Sequence, residues 1–140
     1  MDKVEWKNVY QLGVDEIDLQ HHKLISIMNN FYDTAVGDPK EYPLNVGKSL
    51  KKLTDYTYDH FSYEEALMEK YRYPDVEKHK AQHKIFIGQL NSKIPHIAKG
   101  NQAEGQELYD FLLEWLLHHI AHIDTLWAEY VLASKTVRKK

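Results

Sequence analysis

His60-Phe61-Ser62-Tyr63-Glu64 and His79-Lys80-Ala81-Gln82-His83 decide how this chain folds. In each stretch two metal-binding side-chain types stand four residues apart, so an α-helix carries both on one face. Each pair also fills a gap in an apolar stripe of helical spacing. Around the first pair run Val46, Leu50, Leu53, Tyr56, Leu67 and Tyr71, in a segment from about Pro43 to Tyr71. Around the second run Val76, Phe86, Leu90, Ile94 and Ile97, in a segment from about Asp75 to Ile97.

The pattern extends to the flanking segments. From about Ile17 to Val36, the stripe Ile17, Leu24, Ile25, Met28, Phe31, Tyr32 and Ala35 has His21 in its missing slot. From about Ala103 to Ala133, His119 lies among Leu108, Leu112, Trp115, Leu116, Ile120, Ile123 and Trp127. Prolines at 39, 43, 74 and 95 and glycines at 37, 100 and 105 punctuate the chain between these segments. Four amphipathic helices joined by short turns predict an all-α, up-down-up-down antiparallel four-helix bundle. No period-2 alternation calls for a sheet. The 140 residues are expected to form one domain, with residues 1–16 as an N-terminal arm and residues 134–140 as a solvated basic tail.

Composition narrows the function. There is no cysteine, which excludes thiolate metal sites, iron–sulfur clusters and thiol catalysis. A formal charge of -3 gives no attraction to nucleic acid. No run approaches the ~20 apolar residues that span a bilayer, and the start, MDKVEWKNVYQLG, lacks a signal-peptide core. A cytoplasmic location is expected. The nine histidines matter because several occupy interior positions of helices.

A lone buried histidine such as His21 is ordinarily a satisfied core residue. A buried Glu64 beside His60 is different, because an unpaired carboxylate in a core is costly and tends to take a proton. A cation removes that cost. With such residues on all four helices, the interior faces converge on one metal centre. Imidazole and carboxylate ligands without thiolate suit iron, manganese, zinc or copper. One zinc ion needs only three or four ligands, whereas this centre offers more and suits two ions. No Glu-x-x-His pair occurs in the chain, unlike the carboxylate-rich di-iron bundles. A histidine-rich centre gives iron fewer anionic ligands and favours the ferrous pair, which suits reversible binding over oxygen activation.

The motifs resemble those of the hemerythrin family. Ile17-Asp18-Leu19-Gln20-His21 with Leu24 is similar to its first motif, and His60-Phe61-Ser62-Tyr63-Glu64-Glu65 with Leu67-Met68 to its second. Tyr73-Pro74, His79-Lys80-Ala81-Gln82-His83 and Phe86 resemble the third. Trp115-Leu116, His119-Ile120 and Asp124 resemble the fourth, and Trp6 and Gly13-Val14 match the arm. The resemblance implies two iron ions, one held by His79, His83 and His119, the other by His21 and His60. Glu64 and Asp124 would bridge them together with an oxo or hydroxo group. It implies that dioxygen binds reversibly at the two-histidine iron, inside an apolar wall of Leu24, Phe61, Trp115, Leu116 and Ile120. By periodicity alone those five are ordinary core residues.

On this reading the protein is not an enzyme but a monomer that carries, stores or delivers dioxygen, with an oxygen-consuming protein as its possible recipient. The rival readings are oxygen or redox sensing through a partner, and a diiron enzyme that handles peroxide or NO. His22, His96, His118 and His122 are expected to be exposed or to support the ligands from outside. Phase alone does not choose His119 over the pair His118 and His122; the family pattern does. Asp124 poses a separate problem. Five residues from His119, it lies about 140° round a regular helix from it. Either Asp124 reaches sideways, or the helix ends before it, or one extra residue is looped out as a π-bulge. Trp127 and Val131 continue the stripe in phase with Asp124, while Ile123, Leu126 and Tyr130 continue the unshifted one.

Overall fold

The computed structural model describes residues 3–138. Its helices are α1 (Asp15–Val36), α2 (Tyr42–Lys70), α3 (Val76–Lys99), α4 (Gln102–His118) and α5 (Asp124–Arg138), with a short 3-10 turn at Asn8–Tyr10. A π-helical segment, His119–Ile123, joins α4 to α5 so that the two form one long rod. α1 packs on α2 and on α4, and α3 packs on α2 and on α4. The rods therefore close into an up-down-up-down four-helix bundle with an N-terminal arm, as the periodicity predicts. Among the described residues there is no strand.

Local signals set the helix ends. α1 opens with Asp15, Glu16 and Asp18 in its first turn, where negative charge meets the positive end of the helix dipole. The Asp18 carboxylate also accepts hydrogen bonds from the Leu12 N–H at 2.7 Å and the Gly13 N–H at 3.0 Å, which pins the arm to the helix start. Gly13 makes that turn at φ 88°, a conformation costly for residues with a Cβ. α2 has Pro43 in its first turn, where a missing N–H costs nothing. The Asn101 side chain caps α4 by accepting from the Glu104 N–H at 3.2 Å. Pro95 lies inside α3, which continues to Lys99.

Two boundaries differ from the sequence reading. The arm ends before Asp15 rather than at residue 16, because the acidic first turn starts the helix early. The expected tail is helical as far as Arg138, since Val131 is buried and holds that turn against the bundle; residues 139–140 lie outside the described residues.

The core has two apolar parts. The larger is built from residues such as Leu24, Met28, Phe31, Leu53, Phe86, Leu90, Leu112 and Leu116, and also takes in Val4 and Tyr10 of the arm. The smaller holds Val14, Ile17, Met68, Trp127, Ala128 and Val131 at the opposite end. Along α1, α2 and the last rod the two are separated by polar residues: His21 between Ile17 and Leu24, Glu64 between Phe61 and Met68, and Asp124 between Ile120 and Trp127. The polar layer is thus closed from above and below by apolar plugs. Leu53 is fully buried in the larger plug. Leu53→Ala should lower the unfolding free energy by about 2–5 kcal/mol, read from urea denaturation, because a cavity adds to the lost transfer energy.

Candidate metal centre

The seven residues singled out by the sequence come together in the polar layer. α1 supplies His21, α2 His60 and Glu64, α3 His79 and His83, the π segment His119, and α5 Asp124; all seven are buried. Their donor atoms form two groups that share Asp124. One comprises His79, His83, His119 and Asp124, the other His21, His60, Glu64 and Asp124, and within each group the donor atoms lie within 4.8 Å of one another.

The carboxylates stand between the groups. Asp124 Oδ1 lies 3.2 Å from His79 Nε2 and 3.1 Å from His119 Nε2, while its Oδ2 lies 3.5 Å from His21 Nε2. Glu64 Oε1 lies 3.4 Å from His60 Nε2 and 3.6 Å from His83 Nε2, and its Oε2 lies 3.7 Å from His21 Nε2. His119 Nε2 is also 3.1 Å from His83 Nε2 and 3.2 Å from His79 Nε2.

Asp124 reaches this centre because the helix changes phase. Its N–H donates to the carbonyl of His119, five residues back, in place of the usual four. Of the three ways for Asp124 to face the centre, the looped-out residue is the one adopted. Before the bulge the rod buries Gly105, Leu108, Leu112, Leu116 and His119; after it, Asp124, Trp127, Ala128 and Val131. Leu126, on the unshifted stripe, is 56% exposed.

Hydrogen bonds from neighbouring helices orient two of the rings. His60 Nδ1 lies 2.7 Å from Gln20 Oε1, and His83 Nδ1 lies 2.9 Å from Glu65 Oε2. Each oxygen accepts the Nδ1 proton, which leaves the Nε2 lone pair directed at the centre. Sequence reasoning missed both partners as functional residues. Gln20 precedes His21 and Glu65 follows Glu64, yet each acts on a ring of another helix, so only the register between helices reveals the contact.

The electrostatics are strained without a cation. Burial pushes His83 down to about 4, and burial together with His21 holds His60 well below the usual imidazole range. Burial opposes charge on His21 too, but the carboxylates of Asp124 and Glu64, 3.5 and 3.7 Å from its Nε2, outweigh it and push His21 up to about 10. Burial and the charge of Asp124 push Glu64 well above the carboxylate range. Burial also works to raise Asp124, but His119, His21 and His79 hold it well below that range. Both Glu64 oxygens, Asp124 Oδ2 and both His21 ring nitrogens are buried without a hydrogen-bond partner. Such orphaned donors and acceptors are rare in native proteins. The residues present fit bound cations, which would engage all these atoms except His21 Nδ1.

Apolar side chains cover the layer. Leu24, Phe61, Leu116 and Ile120 are buried, and Trp115 is half-buried against them. Phe61 stacks on His83 with centroids 3.7 Å apart, and Trp115 stacks on His119 at 4.6 Å. The other histidines stay outside: His22, His96, His118 and His122 are exposed. His22 lies under Trp6 of the arm, with ring centroids 3.5 Å apart.

Fold and site together define a cation-binding helical bundle. The sequence model of the Hemerythrin HHE cation binding domain matches residues 12–131, and the chain belongs to the hemerythrin family. It is 32% identical to the bacteriohemerythrin of Stenotrophomonas maltophilia (strain R551-3) over 128 residues, 91% of this chain and 81% of that protein. It is 28% identical to myohemerythrin-1 of Phascolopsis gouldii over 119 residues, 85% of this chain and 87% of that protein. Among solved structures, a wild-type hemerythrin superposes with a TM-score of 0.79 at 28% identity, covering 93% of this chain and 98% of that one. No helix among the described residues is long and apolar enough to cross a membrane.

Proton linkage gives a test of the centre. Near neutral pH the metal-free layer retains a proton on His21, which is pushed up to about 10, and the upward shift of Glu64 favours one there too. A cation must displace them, so binding releases protons and tightens as pH rises. Calorimetric titration with a divalent ion should show proton release in buffers of differing ionisation heat, and affinity should climb with pH up to about 10, where His21 loses its proton unaided. Uptake without proton release would contradict this electrostatic picture.

Proposed function

We propose that this chain binds dioxygen reversibly at a pair of iron ions and serves to carry, store or deliver it. The observation that carries the reading is the division of Asp124, with one oxygen toward His79 and His119 and the other toward His21. A carboxylate shared in that way suits two ions side by side. On this reading His79, His83 and His119 hold one iron, His21 and His60 hold the other, and Glu64 and Asp124 bridge them with an oxo or hydroxo group. Held as a ferrous pair, iron supplies the electrons that reversible dioxygen binding requires. Relatives named bacteriohemerythrin and myohemerythrin support the choice of ion and gas.

The chain's own residues then have distinct tasks. Gln20 and Glu65 fix the rings of His60 and His83. Five imidazoles against two carboxylates leave the centre less anionic than a carboxylate-rich one, which favours the reduced state. Leu24, Phe61, Trp115, Leu116 and Ile120 form a wall that keeps water and protons from the gas. The reading has the chain act as a cytoplasmic binding protein rather than an enzyme. Its lack of cysteine gives no sign of an oxidising compartment.

The deciding experiment is anaerobic reduction with ferrous iron, metal analysis, and repeated cycles of oxygen exposure and removal followed in the visible spectrum. Two irons per chain and a spectrum that returns on each cycle are expected. One tightly bound ion would defeat the paired centre, and catalytic consumption of peroxide would favour an enzyme instead. Replacing His60, His79 or His83 by Ala should cost iron and lower the melting temperature, because binding is coupled to folding. His22→Ala should leave both nearly unchanged. Leu116→Ala should speed autoxidation; equal rates in variant and parent would remove Leu116 from the protective wall.

A further inference from the structure

Two histidines beside the buried layer have no part in it. His118 ends α4 and His122 lies in the π segment. Both are exposed, and their ring centroids are 5.0 Å apart. Four residues before His118, and exposed with it, is Glu114. On a helix this spacing stacks side chains along one face. A pair of imidazoles at this spacing suits divalent first-row transition ions, and Glu114 adds negative charge one turn back along the face.

The position of this face is what makes it informative. A surface cavity of about 550 Å³ between α3 and α4 is lined by Glu114 and His118 and also by Trp115, Gln82 and His119. His119 is one of the buried candidate ligands and is only 3% exposed. The same cavity thus touches an exposed imidazole and the edge of the centre. Gln82 Oε1 is buried without a hydrogen-bond partner and lies along this path. It is a further oxygen for a cation in transit.

We propose that the pair of His118 and His122 is a surface site that captures a divalent transition ion, with the Glu114 carboxylate adding negative charge at the cavity wall, and passes it along this cavity to the buried centre. The delivery role rests on the metal-centre reading above; the surface site itself does not. The exposed face loses and regains water readily and holds an ion with few ligands. The buried layer offers more ligands to the same ion, so the gradient of affinity runs inward.

Two measurements test it. Titrating iron-loaded protein with Ni2+ should show one additional nickel ion per chain, with no loss of iron. That binding should vanish in the double variant His118→Ala, His122→Ala, and persist in His96→Ala. Alanine at exposed helical positions preserves helix propensity, and an unchanged melting temperature would verify the fold. Loading of the metal-free protein with Co2+, followed by visible absorption, should be several-fold slower in the double variant and reach the same endpoint. Absence of the additional nickel ion in the parent protein overturns the surface site. Equal cobalt loading rates in parent and double variant overturn its role in delivery.

Discussion

A carboxylate buried in a helical core, with its oxygens unsatisfied, governs the design of this bundle. Glu64 is fully buried and neither of its oxygens has a hydrogen-bond partner. Desolvation of that kind is tolerable only with a cation or a proton nearby. In the metal-free layer the compensation is a proton on His21, which the neighbouring Asp124 and Glu64 carboxylates push up to about 10. Cations would replace that proton and engage the remaining lone pairs. The cation-binding character of the family therefore follows from the same atoms that are otherwise hard to account for.

Building such a layer into a bundle requires the rest of the core to be firm. The two apolar plugs on either side provide that firmness. Leu24, Phe86 and Leu116 close one side and Ile17, Met68 and Trp127 the other. Stacking of Phe61 on His83 and of Trp115 on His119 couples the larger plug directly to the rings. Gln20 and Glu65 then restrict the rings from the outside. A ligand set held by both packing and hydrogen bonds reorganises little when a cation arrives, which is the condition for tight and selective binding.

The π segment shows how a local irregularity serves the site. A regular helix that presents His119 inward would turn Asp124 well away from the centre. Looping out one residue brings both inward and simultaneously moves the buried face to Trp127, Ala128 and Val131. The irregular hydrogen bonding is local, while the gain is a carboxylate placed between two groups of histidines. The segment also contains His122, whose exposed ring faces that of His118 on the solvent side.

The amino-acid sequence by itself determined the four helices, their inward faces and the chemistry of the interior. Apolar spacing interrupted by His21, His60, Glu64, His79 and His83 is a local property of each helix, readable without knowledge of its neighbours. Only the tertiary structure decided what depends on two elements at once. Periodicity did not separate His119 from His118 and His122; the family pattern chose it, and the physical reason, the rotation of the last rod relative to the other three, appears only in the packed bundle. The phase change at Asp124 was one of several possibilities in sequence, because Ile123, Leu126 and Tyr130 continue the stripe nearly as well; core packing selects Trp127 and Val131. The roles of Gln20 and Glu65 were hidden because each orients a ring on the next helix. The helical course of residues 134–138 was also unforeseen, since their composition reads as a solvated tail while burial of Val131 anchors the turn before them. Periodicity fixes which face of a helix turns inward, but the axial register and rotation between helices arise from the packing of all four together.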